Sequence, residues 1–290
     1  MSSACLACHA AVRAFGQRRG WTYGVCGACG AVQLLPPPTD SELERLYRTA
    51  YHQGGHYSEE PQRHARERHR VVQQLADLVA RYRRTDSRAL VVELGAGWGA
   101  LGDALVRRSL DYVGIEPNET MAAYARSRGL DVRTGRIDRL ELEGPRQVDV
   151  FVSMAVYEHL LHQGEVLRRQ ASLLAPGGAV IIQAPTAGIP ALVGRALRTL
   201  APAHELPEVF GSLAPPWHVL LPTPQSIAIQ AAQAGLRLES VLVSRSGRRD
   251  DWRRWLQAAV EATGRVGHDV VGARWPLAMA HIFVLRAAAT

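Results

Sequence analysis

The chain of 290 residues is long enough for one large α/β domain and a small accessory module. Its hydrophobic fraction is 47%, and no apolar run approaches the ~20 residues that a bilayer-spanning helix needs, which excludes a membrane-embedded helical protein. The formal net charge is +7 and all 34 basic residues are arginine, so chemistry that needs a lysine Schiff base is also excluded. The segment MSSACLACHA lacks the pattern of a secretory signal, and we expect a cytoplasmic protein.

All four cysteines lie within the first 29 residues, as Cys5, Cys8, Cys26 and Cys29. They form two C-x₂-C pairs separated by 17 residues, within the spacing window of a zinc ribbon. A disulfide framework is the alternative, which an intracellular chain disfavours. Four thiolates leave no open coordination position on zinc, so we predict a structural zinc ribbon over residues 1–37.

Two helices are predicted within residues 38–86, which we interpret as a helical lid and linker. The first, DSELERLYRTAYHQ, is expected to start at Asp40 or Ser41 as N-cap, with Glu44 completing a capping box. The break GGHYSEEP precedes the second helix, HARERHRVVQQLADLVARY, which carries one apolar stripe.

Residues 87–290 show alternating strands and helices, the pattern of a mostly parallel sheet with crossover helices. Strands are predicted at ALVVELG, DYVGIEP, DVRTG, VDVFVSM, AVIIQAP, LESVLVS and AHIFVLR. Helices are predicted near residues 100–109, 119–128 and 162–174 and at PQSIAIQAAQAGL. The predicted fold class is therefore α/β, a Rossmann-like seven-stranded sheet. An insertion at residues 186–216 interrupts the alternation and is expected to cover the pocket.

The first of these strands ends in the glycine-rich turn of VVELGAGWG. Gly95, Gly97 and Gly99 allow backbone to approach a nucleotide-like ligand. Glu116 ends the next strand at about the ~20-residue distance at which a ribose-binding acid is expected. The pattern predicts a pocket for an adenosine-containing cofactor, with tight helix–strand packing as the alternative role of the glycines. Ala100 occupies the third position of the NAD fingerprint, which that fingerprint permits, so the spacing does not reject NAD.

Several motifs together resemble the class I S-adenosylmethionine-dependent methyltransferases, over roughly Leu90 to Arg286. VVELGAGWG is similar to the first motif of that family, GIEP to its ribose-binding motif, and LLAPGGAVIIQAP to its fifth strand. AVYEHLL, PPWHVLLPTPQSIAIQAAQAGL and LLPPPTDSELERLYRTAY resemble a subgroup of small-molecule methyltransferases with an N-terminal cysteine module. The resemblance implies methyl transfer from S-adenosylmethionine to an O, N or C atom of a small molecule, in a secondary-metabolite or sugar pathway.

The same resemblance implies a set of cofactor contacts. Glu93 is expected near the ammonium group of the methionine portion, Glu116 at the ribose hydroxyls, and Ile137 against the adenine. Either Tyr51 or Tyr57 is expected at the methionine end, with a surface position as the alternative. The implied contacts are Tyr51, Tyr57, Glu93, Gly95, Ala96, Gly97, Gly99, Glu116, Pro117, Arg136, Ile137, Asp138, Met154 and Ala155.

Two histidines are candidates for the base that deprotonates the acceptor. His159 follows the fourth strand and so borders the cofactor crevice, and His218 follows the insertion. Glu158 is expected to orient His159 or to face solvent, and Tyr157 to line the acceptor pocket or to pack. For both histidines a purely structural hydrogen bond is the alternative.

Two other functions remain open from the sequence. An RNA-base methyltransferase would use the zinc ribbon and basic charge to bind nucleic acid, although the arginines are interleaved with acids. An NAD-dependent oxidoreductase is less favoured, because an acid precedes the turn and no second catalytic domain is evident. The cluster GRRDDWRRWLQ is interpreted as a solvated helix start, with an anion-binding site as the alternative. The sequence indicates neither the acceptor nor the oligomeric state.

Overall fold

The computed structural model describes residues 4–49, 60–84, 89–136, 147–193, 205–206, 212–245 and 254–288. The predictions on Tyr51, Tyr57, Ile137 and Asp138 lie outside the described residues, as does the arginine cluster up to residue 253.

The N-terminal part of the chain forms a small antiparallel sheet. Its strands are β1 (Val12–Arg18), β2 (Trp21–Cys26) and β3 (Val32–Leu35), and β9 (Leu220–Leu221) pairs with β3 in antiparallel register. Strand β9 is distant in sequence from the other three strands. Its pairing with β3 therefore joins the cysteine segment and the C-terminal half of the chain in one sheet.

Part of the predicted insertion packs against this small sheet. Ala187, Ala191 and Leu213 belong to the same buried cluster as residues of β1 to β3. Arg18 of β1 donates from Nε to the Leu213 carbonyl at 3.0 Å and from Nη1 to the Leu206 carbonyl at 2.8 Å. The described part of the insertion is thus held to the cysteine-bearing sheet, and its role as a pocket cover stays a prediction.

Helix α1 (Asp40–Thr49) begins at a different cap from the one predicted. The Glu42 amide donates to Thr39 Oγ1 at 3.3 Å, and the Thr39 amide donates to Glu42 Oε2 at 2.7 Å. The capping box is therefore Thr39 with Glu42, and the prediction of Glu44 was wrong. Both TDSE and SELE match the capping pattern, but the observed one places Asp40 and Glu42 in the first turn, where the helix dipole favours acids.

The main sheet has seven strands and confirms the predicted fold class. They are β4 (Leu90–Leu94), β5 (Asp111–Glu116), β6 (Val132–Thr134), β7 (Val148–Met154), β8 (Leu174–Pro185), β10 (Leu236–Val243) and β11 (Ala280–Ala287). The spatial order is β10-β11-β8-β7-β4-β5-β6, and β11 runs antiparallel to both of its neighbours. Strand β8 begins before the predicted AVIIQAP because Leu174 already pairs with Val148 of β7.

Helices cover both faces of this sheet. They are α2 (Pro61–Tyr82), α3 (Ala100–Val106), α4 (Glu119–Ser127), α5 (Gln163–Leu173), α6 (Pro224–Gln233) and α7 (Arg254–Val271). The apolar stripe of α2, including Val72, Leu75 and Val79, is buried in one core with α3 and α4, while α5 and α6 pack in the other. Helix α2 is thus a layer of the sheet core. Among the described residues, no helix is both long and apolar enough to cross a membrane.

Candidate active site

The glycine turn after β4 has a backbone shape that requires glycine. Gly95, Gly97 and Gly99 have φ values of 74°, 55° and 82°, in the left-handed region that side chains disfavour. A Cβ atom on Gly95 would also lie 2.4 Å from Cγ2 of Val156. The turn therefore packs directly against the segment that follows β7, and this contact joins the predicted donor and acceptor sides.

Glu116 connects the end of β5 to the glycine turn. Its Oε2 accepts a hydrogen bond from the Gly97 amide at 2.8 Å, and its Oε1 accepts one from the Asn118 amide at 2.9 Å. Burial raises the pKa of Glu116, and the two amide donors oppose that rise. The structure thus brings the predicted ribose acid and the predicted glycine turn into one site at the carboxyl ends of the strands.

Glu93 lies below this turn and is fully buried. The Tyr112 hydroxyl donates to its Oε2 at 2.6 Å, while burial raises the pKa of Glu93 to about 8. Gly102 and Gly114 make room for this phenol, since a Cβ on either would lie 2.6 Å from a Tyr112 atom. The expected contact of Glu93 with the cofactor ammonium stays a prediction.

Folding stability is expected to fall as the pH rises from about 4.5 to about 8, because of Glu93. The folded chain holds a proton on this carboxyl that the unfolded chain has already released, so the stabilisation present at low pH is lost through this window. Glu93→Gln cannot ionise and keeps an acceptor oxygen for Tyr112. We expect the variant to exceed the parent in unfolding free energy at pH 9 by on the order of 3 kcal/mol, with the gap shrinking towards pH 5.

Urea unfolding of both proteins at pH 5, 7 and 9 measures this difference. The exposed Glu165 on α5 offers a control, and Glu165→Gln should follow the parent at each pH. Parallel pH profiles for the parent and Glu93→Gln would contradict the assignment.

The other predicted cofactor residues lie at the same edge of the sheet. Met154 ends β7 and is buried, and Ala155 follows with a positive φ of 55° and an amide that donates to the Gln183 carbonyl at 2.9 Å. Pro117 and Arg136 are exposed, directly after β5 and shortly after β6. Ala96, inside the turn, is buried and donates its amide to the Ile115 carbonyl at 3.2 Å.

Two aromatic residues beside the turn were missed by the sequence reasoning. Trp98, within the glycine turn, makes an edge contact with Tyr124 of α4, with ring centroids 5.4 Å apart. The indole Nε1 of Trp98 is buried and has no hydrogen-bond partner among the described residues. The signal in the sequence was a tryptophan inside a turn that otherwise consists of small residues.

The predicted acceptor residues Glu158, His159 and His218 converge. One donor atom from each lies within 4.8 Å of the others, and His159 Nε2 is 3.9 Å from Glu158 Oε1. The two imidazole rings are nearly perpendicular, with centroids 5.0 Å apart. We call these three residues the acceptor cluster.

Backbone carbonyls determine the tautomer of both histidines. His159 Nδ1 is 2.9 Å from the Trp217 carbonyl, and His218 Nδ1 is 3.0 Å from the Ser212 carbonyl. A carbonyl oxygen only accepts, so each Nδ1 carries a proton, and in the neutral form of each ring the lone pair is on Nε2. In each ring the structural hydrogen bond therefore uses Nδ1, whereas the predicted role as a base would use Nε2.

Glu158 is 1% exposed, and its Oε2 has no hydrogen-bond partner within the described part of the chain. Burial raises the pKa of this carboxyl to about 8. Its backbone carbonyl accepts from the Val219 amide at 2.7 Å, and the Val219 carbonyl accepts from the Leu34 amide of β3 at 3.1 Å. The acceptor cluster thus lies where the two sheets of the molecule meet.

Of the two roles expected for Tyr157, lining the acceptor pocket or packing, the structure shows packing. Its side chain is fully buried in the core beneath α5, and its hydroxyl donates to Gln170 Oε1. Burial holds the pKa of this phenol well above its usual range. Because the chain turns through a 3₁₀ helix at Tyr157–His159, Tyr157 points into the core and stabilises the turn that carries the cluster.

The four cysteines also converge. Sγ of Cys5 is 3.7 Å from Sγ of Cys29, Sγ of Cys8 is 3.5 Å from Sγ of Cys26, and all four lie within 4.8 Å of one another. These distances exceed the ~2.05 Å of a disulfide and match the ~3.8 Å between sulfurs bound tetrahedrally to zinc. The donor set therefore fits a structural zinc ion. The Cys29 carbonyl also accepts from the hydroxyl of Thr223, the N-cap of α6, at 2.6 Å.

The sheet order and the turn at its carboxyl edge define an α/β domain with a crevice for a nucleotide-like cofactor. Residues 64–241 match the family model described as "Methyltransferase domain", which is more than half of the chain. The chain therefore belongs to the class I S-adenosylmethionine-dependent methyltransferases. This membership favours methyl transfer over NAD-dependent hydride transfer.

Three known proteins illustrate the similarity. A ubiquinone biosynthesis O-methyltransferase from Caulobacter sp. (strain K31) is 32% identical over 117 residues, covering 38% of this chain and 43% of the relative. The chain thus spans less than half the length of the curated relatives it matches.

Two solved structures share the fold over most of the chain. Magnesium protoporphyrin IX methyltransferase from Synechocystis PCC 6803, with bound SAH, has a TM-score of 0.53 at 15% identity and covers 86% of this chain and 100% of its own. The [4+2]-cyclase SpnF has a TM-score of 0.52 at 18% identity and covers 88% and 98%. Since a cyclase shares the fold, the fold by itself does not define the reaction.

Proposed function

We propose that the protein transfers a methyl group from S-adenosylmethionine to an O, N or C atom of a small-molecule acceptor in a biosynthetic pathway. The observation that supports the proposal is that the acceptor cluster begins two residues after Val156, the residue that contacts the glycine turn at Gly95. A small molecule is favoured over RNA because the curated relatives are ubiquinone biosynthesis enzymes by name.

The donor side of the site consists of the glycine turn and Glu116. S-adenosylmethionine supplies a methyl group that its sulfonium has already activated. Glu116, now bonded to the amides of Gly97 and Asn118, would accept hydrogen bonds from the ribose hydroxyls. The Nε1 of Trp98, which has no hydrogen-bond partner among the residues that the structure describes, would add a donor at the same turn.

The acceptor side requires a group that takes a proton from the attacking atom. His159 is the proposed base, because its Nε2 carries a lone pair while Nδ1 is held by the Trp217 carbonyl. A ring held in this way keeps its tautomer and orientation and does not have to reorganise when the acceptor binds.

The His159→Ala variant is expected to lower turnover by about 10²- to 10⁴-fold and to leave S-adenosylmethionine affinity nearly unchanged. The reason is that the imidazole acts on the acceptor and not on the donor. Release of S-adenosylhomocysteine with a panel of nucleotide-linked sugars and hydroxylated aromatic compounds measures turnover, and calorimetry measures cofactor affinity.

His162 provides a matched control close by in the chain, because it is exposed and pairs with Asp40 at 3.0 Å. His162→Ala should keep parental turnover. If His159→Ala weakens cofactor binding as much as turnover, His159 is a structural residue and not the base.

We further propose that Cys5, Cys8, Cys26 and Cys29 hold a structural zinc ion, supported by the spacing of their sulfur atoms. All four coordination positions of the ion would be taken, so its contribution is to the fold of the N-terminal sheet and not to the reaction.

A further inference from the structure

We infer that Glu158, His159 and His218 form a second metal site, which takes a divalent transition ion such as Zn²⁺ or Co²⁺. Their donor atoms lie within 4.8 Å of one another, and the site is separate from the cysteine cluster. Two imidazole nitrogens and one carboxylate oxygen are a ligand set of catalytic zinc sites, which keep one coordination position open. Mixed nitrogen and oxygen ligands select such ions over Mg²⁺ and Ca²⁺, which prefer oxygen alone.

The hydrogen bonds of the two rings are those of metal ligands. A metal-bound histidine usually donates its other ring N–H to a carbonyl or carboxylate, which orients the ring and makes the ligating nitrogen more basic. His159 and His218 both do so, to the carbonyls of Trp217 and Ser212. Each Nε2 is thereby prepared as a ligand before an ion arrives.

The buried carboxyl of Glu158 supplies an independent observation. The side chain is 1% exposed and its Oε2 lacks a hydrogen-bond partner among the described residues. A buried polar atom without a partner is costly, and coordination to a cation would remove that cost.

The distances fit an ion after a small contraction. Bonds of about 2.0–2.2 Å to nitrogen and oxygen place neighbouring ligand atoms about 3.3–3.5 Å apart in a tetrahedral site. His159 Nε2 and Glu158 Oε1 are 3.9 Å apart and need a closure of about 0.5 Å, and the 4.8 Å bound on the distances to His218 requires a closure of at most about 1.4 Å, which rotation of the side chains can supply.

An ion at this position would face the acceptor. The open coordination position can take an acceptor hydroxyl, whose pKa coordination lowers, so that the hydroxyl would lose its proton to solvent water and its oxygen would bond to the methyl carbon as the carbon–sulfur bond of the sulfonium breaks. In the metal-bound state His159 holds the ion instead of acting as the base. The proposed metal site can be tested independently of methyl transfer, because binding of the ion can be measured directly.

Cobalt titration of the full chain tests this inference. With the cysteine cluster loaded with one equivalent of Zn²⁺, added Co²⁺ is expected to bind as one further equivalent. Its spectrum should show visible d–d bands but lack the near-ultraviolet sulfur-to-metal charge-transfer band that cysteine ligands produce. His159→Ala and His218→Ala should each weaken this second equivalent at least tenfold, and Glu158→Gln should weaken it as well.

The exposed His162 provides the control, since it pairs with Asp40 outside the cluster and His162→Ala should leave both equivalents intact. Retention of the zinc equivalent and of S-adenosylmethionine binding in each variant shows that the fold is preserved. Where a single histidine variant loses the fold, Glu158→Gln supplies the same test.

The inference is overturned if the parent binds no second equivalent, if its absorption is that of cysteine ligation alone, or if the folded cluster variants keep the second equivalent. Methyl transfer without a second equivalent would overturn the metal site and leave the proposed function standing. A second equivalent of metal in a protein that binds neither S-adenosylmethionine nor S-adenosylhomocysteine would support the metal site and overturn the proposed function.

Discussion

Glu116→Ala is expected to weaken S-adenosylmethionine binding by roughly 100-fold. A charged acceptor contributes about 1.5–3 kcal/mol to each hydrogen bond, and the carboxylate would be shared by two ribose hydroxyls. The substitution also leaves the amides of Gly97 and Asn118 without their present acceptor. Glu116→Gln, which keeps one acceptor oxygen but no charge, should show an intermediate loss. Calorimetric titration with S-adenosylmethionine and S-adenosylhomocysteine measures both affinities.

Glu119 offers a matched control one turn along the chain. It is an exposed carboxylate at the start of α4, paired with Arg126, and Glu119→Ala should bind the cofactor like the parent. Thermal melts separate lost affinity from lost fold. Without ligand, a folded variant keeps its unfolding transition, and with added cofactor a variant of low affinity is stabilised less than the parent. If the parent binds neither form of the cofactor and Glu116→Ala changes nothing, the proposed function fails.

Cys29→Ser is expected to release the structural zinc ion and unfold the N-terminal sheet. Structural zinc contributes about 10–16 kcal/mol of binding free energy, which exceeds the whole stability of most small domains. Loss of this sheet should extend to the acceptor cluster, because β3 pairs with β9 and the Leu34 amide holds the carbonyl next to His218. Turnover should therefore fall, while the glycine turn and Glu116 keep the cofactor site.

Metal content, hydrogen exchange of β1 to β3 and calorimetric cofactor affinity check these outcomes together. Ala28→Ser is the matched control, since it adds the same hydroxyl to an exposed position in the same knuckle but removes no ligand. Parent protein purified under reducing conditions without zinc, or a variant with unchanged exchange protection, would contradict the role of the cysteines.

Local sequence patterns were sufficient for much of the fold. Strands β4 and β7 are buried along their whole length and are apolar except at Glu93, Asp149 and Ser153, and the glycines after β4 suit a turn with positive φ that packs against a neighbouring segment. Such patterns predicted the seven strands of the main sheet and the helices between them. They also predicted that Glu116 lies at the glycine turn, because the spacing along one βαβ unit constrains positions in space. The same motifs carry the resemblance to the methyltransferases, which the family model over residues 64–241 confirmed.

The cap of α1 and the direction of Tyr157 could not be predicted in this way. TDSE and SELE both satisfy the capping pattern, and the choice depends on which register the rest of the helix adopts. Tyr157 follows a strand in a 3₁₀ turn, where neither the period of a strand nor that of an α-helix indicates which side faces the core.

The sequence by itself determined the class of protein. Its local periodicities indicate the strands and helices, and the spacing of its glycines, acids and cysteines places residues that are close along the chain together in the fold. The tertiary structure alone decided how the acceptor cluster is assembled. His159 and His218 are distant in sequence and meet because the Val219 amide donates to the Glu158 carbonyl, a contact that no local period records. Long-range packing also orients the His159 ring through the carbonyl of Trp217, 58 residues away, whereas the His218 ring is oriented by the carbonyl of Ser212, only 6 residues away.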